Sequence, residues 1–142
     1  MSEPTLREWL REGPFALALS SGFFSFFAHT GLFTVLEDEG LLPARLSGAS
    51  AGALVAGAWA GGVDAPELAR ELDRLERGHF WDPGLGPGLL RGRLFRDKIE
   101  SMLVRRTFEG CRVPLAVSAF DVRTRGTHVL DAQAGPRQLE EV

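Results

Sequence analysis

Hydrophobic positions in the first sixty residues fall into four blocks separated by turn-forming residues. Residues 15–19 are an unbroken apolar run between Pro14 and the Ser20, Ser21, Gly22 turn, the pattern of a strand covered on both faces of a parallel sheet. Residues 24–39 are apolar nearly all round until Glu37, Asp38 and Glu39, and they stop at Gly40 with Pro43 shortly beyond. This predicts a buried helix with a solvated tail. Residues 43–47 contain Leu46 and supply a short second strand that ends at Gly48, and residues 49–60 predict a small-residue helix closed by Gly61 and Gly62. Strand, helix, strand, helix in this order predicts an α/β fold with a mainly parallel sheet, right-handed crossovers, and ligands outside the carboxyl ends of the strands.

Beyond Gly62 the pattern becomes amphipathic. Asp64 and Glu67 form a capping-box-like start, and Leu68, Leu72 and Leu75 come next at helical spacing among charged residues. Residues 78–92 carry His79, Phe80, Trp81 and Asp82 with two prolines and five glycines, which predicts a loop. A second amphipathic helix is expected over residues 94–106, with Phe95, Ile99, Met102 and Leu103 on one side. Strands are expected over residues 113–122 and 126–130, and residues 136–142 read as the first turns of a helix. No repeat or linker divides the chain, so residues 1–142 are one domain, with residues 1–13 as an N-terminal extension.

Composition narrows the function. A 142-residue chain with 44% hydrophobic and 25% charged residues is globular, and a net charge of -3 with no basic block excludes a phosphate-backbone binder. Residues 15–36 are long enough to span a bilayer, with His29 their one ionisable group. However, Ser20, Ser21 and Gly22 cut the run, and Ser25, His29, Thr30 and Gly31 would be costly against lipid. Glu3, Glu8 and Glu12 stand where a signal peptide needs positive charge. The lone Cys111 reads as a packed thiol and fits a reducing, cytoplasmic setting. The three histidines lack metal-ligand spacing, and the glycines around Gly48 lack the Lys-Ser/Thr ending of a phosphate loop.

The chemistry concentrates in Gly48, Ala49, Ser50, Ala51 and Gly52, a G-x-S-x-G run that succeeds a short strand and opens a helix. A serine on so sharp a turn needs small neighbours, because the backbone and adjacent strands leave no room for branched side chains. Its hydroxyl then projects above the sheet beside the free N–H groups of a helix N-terminus, which favour developing negative charge.

The order of these parts resembles the patatin-like phospholipases of bacterial type. Leu17 to Ser20 resemble that family's first strand end. Ala28, His29, Thr30, Gly31 and Leu32 resemble its Ala-His-x-Gly helix segment, and Gly48 to Leu54 resemble its nucleophile elbow with the first residues of the next helix. The likeness is strong over residues 15–62 and looser over residues 94–131. It implies a three-layer α/β/α sandwich and lipid acyl-ester hydrolysis by a Ser-Asp dyad that uses no histidine and no cofactor or metal. Ser50 is then the nucleophile, the backbone of Gly22 and Phe23 the oxyanion hole, and a lipid or membrane surface the partner, without a transmembrane span.

Two departures stand out. The family's oxyanion loop reads Gly-Gly-Gly-x-Arg/Lys-Gly, whereas this chain has Ser21, Gly22, Phe23, Phe24, Ser25 and Phe26. The family's catalytic aspartate lies in an Asp-Gly-Gly/Ala motif, and no Asp-Gly pair occurs here, which leaves Asp131, next to Ala132, and Asp121 as candidate bases. The resulting expectation is a base supplied by further sequence, with this chain as a truncated product. His79 and His128 complete no Ser-Asp-His order, and His29 reads as a core histidine that positions the elbow. The competing reading is a non-catalytic remnant that binds lipid or another chain.

Overall fold

The computed structural model describes residues 3–22, 24–76, 78, 83 and 92–133. Among them the elements run α1 (Leu6–Arg11), β1 (Ala16–Leu19), α2 (Ser25–Asp38), β2 (Arg45–Ala49), α3 (Ala51–Ala60), α4 (Ala65–Asp73), α5 (Arg93–Met102), β3 (Leu115–Asp121) and β4 (Gly126–Leu130). The strands lie in the order β1-β2-β3-β4. The first three are parallel, and β4 returns antiparallel along β3. The mainly parallel α/β architecture is the one the sequence predicts. The predicted loop over residues 78–92 and the helix start at residues 136–142 lie almost wholly outside the described residues.

Helix α3 is apolar all round and is correspondingly buried, with Val55, Ala56, Trp59 and Ala60 at 1% exposure or less. It rests on β2 and is flanked by α2 and α4, so that Phe33 of α2 stacks on Trp59 at 4.8 Å. Alternation along the strands turns Leu19, Leu46, Leu115, Val117 and Leu130 toward this core. The opposite sheet face carries the exposed Ala16, Ala18, Arg45 and Phe120, so the described residues build the sheet and one helical layer. Among the described residues β1 is an outermost strand, and α3 covers its core face.

The predicted end of α2 is realised through Gly40, at φ 65: Leu41 N–H donates to Leu36 O at 2.8 Å and Gly40 N–H to Glu37 O at 3.0 Å. Its inner face buries Thr30, Phe33 and Leu36, but Phe24, Phe27, Leu32 and Val35 are exposed. Thr30 is 3% exposed and its hydroxyl has no partner among the described residues. A buried hydroxyl without a partner costs about 1–3 kcal/mol. Thr30→Val keeps the shape and removes that group, and is expected to raise stability by about 1 kcal/mol, read as a higher urea midpoint at unchanged slope.

Tertiary contacts reshape the later elements. Asp64 stands at the N-cap of α4, yet its carboxylate accepts from Arg112 at 2.8 Å and caps nothing. Helix α5 ends at Met102, short of the expected 106, because Leu103 turns extended and buries itself while Arg105 N–H donates to Gly61 O at 2.7 Å. Lys98 pairs with Glu71 and docks α5 on α4. The N-terminal extension contains α1, whose Thr5 and Glu8 form a capping box and whose Arg7 and Arg11 pair with Glu39 at the end of α2. Cys111 is half-buried, and burial pushes its thiol up to about 11.

Candidate active site

The parallel register fixes where the candidate residues meet. Leu19 pairs with Gly48 and Ala49 with Ser118, so β1, β2 and β3 end along a single sheet edge. At that edge β2 turns into α3 through Ser50, which takes φ 53 and ψ -120, a conformation that L residues rarely adopt. Such backbone strain costs about 1–3 kcal/mol and persists where the surroundings over-determine it.

Those surroundings are backbone against backbone. A Cβ on Gly48 would stand 2.5 Å from Gly52 O and 2.6 Å from Ala53 N. On Gly52 it would overlap the Leu19 carbonyl, 2.6 Å from the carbonyl carbon and 2.8 Å from Leu19 Cβ. Glycine at both positions lets the first turn of α3 approach the ends of β1 and β2, and Ser50 is the residue lifted out of the bend. Its side chain is exposed and is not used to cap α3. The free N–H groups and positive dipole end of this ten-residue helix begin immediately beyond it.

The loop after β1 starts from Leu19, which Gly52 touches, and so lies beside the elbow. Gly22 has φ 149, and this position retains the glycine that the loop otherwise lacks. Its carbonyl accepts from Ser25 Oγ at 2.6 Å and from Ser25 N–H at 3.0 Å. Ser25, standing where the resembled family has a basic residue, thus closes the turn into α2. His29 Nε2 donates to Ser20 O at 2.9 Å, so the half-buried imidazole anchors the loop rather than the elbow. Phe23 lies outside the described residues, as does His79.

The acids are placed differently. Asp121 ends β3 at the edge that carries Ser50, and alternation puts it on the face that β3 turns toward α3. Its Oδ1 accepts from Arg123 N–H at 2.8 Å and Thr124 N–H at 3.4 Å, and the Arg123 bond in particular holds the carboxyl below its ordinary range. His128 Nε2 lies 3.2 Å from Thr124 Oγ1 in the same hairpin. Asp131 lies just past β4, which runs the other way: Leu130 pairs with Val117, whereas Ser50 comes one residue after the partner of Ser118. This puts Asp131 about 10 Å across the sheet and about 10 Å back along it from the elbow. Its Oδ1 accepts from Gln133 N–H at 2.8 Å.

One polar cluster had no signal in local sequence. Glu37 Oε1 accepts from Trp59 Nε1 at 2.6 Å, and its Oε2 accepts from Ala65 N–H at 3.1 Å. Arg112 lies over the Trp59 ring at 5.3 Å and bonds Asp64. With Arg112 N–H donating to Ala60 O at 2.9 Å, this cluster holds the end of α3 opposite Ser50.

The end of β1, the start of the loop after it and the serine elbow therefore share one edge of a mainly parallel sheet. The family model of patatin-like phospholipases matches residues 17–139, from within β1 to beyond β4 and with them the whole elbow; the chain belongs to that family.

Proposed function

We propose that this chain is a serine acyl-ester hydrolase acting on lipids, with Ser50 as nucleophile. The observation that carries the reading is the strained Ser50 backbone, held between Gly48 and Gly52 at the head of α3. Ser50 Oγ adds to the ester carbonyl carbon while its proton passes to an aspartate base. The displaced electron pair rests on the carbonyl oxygen, facing backbone N–H groups of the Gly22 loop and the start of α3. Collapse breaks the ester bond, the alcohol leaves with the proton, and acyl-serine remains. Water repeats the sequence and releases the fatty acid.

A fluorophosphonate, which phosphonylates an activated serine hydroxyl with loss of fluoride, tests this without a known substrate. Labelling of the 142-residue chain is expected to vanish in Ser50→Ala, and equal labelling of that variant would overturn the assignment. Asp121 shares the elbow's edge and Asp131 does not, so Asp121→Asn is expected to slow labelling more than Asp131→Asn. Folded protein that binds lipid but takes no label would turn the reading toward a non-catalytic lipid binder.

A further inference from the structure

The exposed face of α2 is apolar from Phe24 to Val35; Asp38 closes it at the carboxyl end, and Arg70 and Asp73 of α4 flank it beside Phe27 and Gly31. Phe24, Phe27, Leu32 and Val35 are 73%, 51%, 38% and 58% exposed, and Ala28 and Gly31 between them are open as well. At 100° per residue these six positions form one stripe, opposite the buried Phe33. From Gly13 to Leu36 the chain holds no Asp, Glu, Lys or Arg, so no charge interrupts it. We infer that this stripe is the surface by which the protein lies on a lipid bilayer, seating the Ser50 edge against its substrate. The inference rests on the lipid-hydrolase reading for the purpose of the contact, but not for the contact itself.

Position and size choose the occupant. The stripe begins at the N-terminus of α2, one short loop after Leu19, and Leu19 is paired with Gly48 at the elbow. Its aromatic end therefore meets the edge on which Ser50 opens. A single helix face of this length covers roughly 200 Å², from 1.5 Å rise per residue and about 10 Å of width. A stable pair of chains needs about 800 Å² on each partner. A bilayer has no such threshold, because each apolar side chain that enters the acyl boundary contributes separately. The charge of -3 gives no attraction to anionic lipid, so capture comes from apolar insertion into a zwitterionic surface.

The test uses sucrose-loaded phosphatidylcholine vesicles and the Ser50→Ala protein, which leaves the lipid intact. It is expected to sediment with the vesicles, with a bound fraction changing less than about twofold between 0.1 and 0.5 M salt, since screening acts on charges and not on burial. Adding Phe27→Ser and Val35→Ser is expected to lower partition about tenfold or more. Val35→Trp is expected to raise it, a gain that misfolding does not mimic. Equal partition of the double-serine variant, binding that needs anionic lipid and vanishes with salt, or a dimer that the serines dissociate would each overturn the inference. The double-serine variant on the Ser50 background keeps its lipid-free fluorophosphonate labelling. Failure of labelling in every form would sink the catalytic reading while the vesicle result stands by itself.

Discussion

Gly52→Ala is expected to lower stability by about 3 kcal/mol and to slow fluorophosphonate labelling of Ser50, although intrinsic helix propensity favours alanine over glycine by about 1 kcal/mol. The new Cβ would overlap the carbonyl of Leu19, which belongs to a sheet strand and cannot turn aside as a flexible side chain can. Relief requires α3 to lift from β1, which moves Ser50 and opens the packing of Val55 and Trp59 beneath it. Gly57→Ala, five residues along the same helix, meets nothing within 4 Å and is expected to raise stability by about 1 kcal/mol. Urea unfolding of the two variants checks both signs. With a slope of about 2 kcal/mol/M the midpoints should separate by about 2 M. Gly52→Ala as stable as the parent would mean that the close approach is not built into the fold.

This contrast also marks what a sequence can convey. The elements from β1 through α3 are legible because their limits are set locally, by Pro14, the turn at Ser20 to Gly22, Gly40, Pro43 and the Gly61-Gly62 pair. The G-x-S-x-G run places a serine between strand and helix for the same reason. Solvation of the α2 face is not legible, because three turns that carry no Asp, Glu, Lys or Arg before Glu37 give no sign of which side meets water. Asp64 carries the residue type and backbone of an N-cap, but Arg112, 48 residues later, takes its carboxylate. The end of α5 is hidden likewise, since Leu103 leaves the helix to pack on Gly61. The place of Asp131 depends on the antiparallel return of β4, which spacing alone does not fix.

The strongest long-range dependence lies at the other end of α3. Trp59 is 1% exposed, and its indole N–H finds an acceptor in Glu37, 22 residues away, which also accepts from Ala65 N–H at the start of α4. Glu37→Ala leaves both donors without this carboxylate and deprives Arg112 of one of its two acidic neighbours. At about 1–3 kcal/mol for each orphaned donor, the expected loss is about 3 kcal/mol. Trp59→Phe removes the indole donor, so Glu37→Ala should cost about 1–2 kcal/mol less in that background, the coupling a double-mutant cycle measures. Additive effects would show that the indole bond contributes nothing of its own. Labelling of Ser50 supplies the contrast with Gly52→Ala. Because Glu37 acts on the end of α3 remote from the elbow, Glu37→Ala should melt earlier yet keep its labelling rate well below the melting temperature. A joint loss of stability and labelling would instead mean that the Glu37 cluster sets the position of the serine through the length of α3.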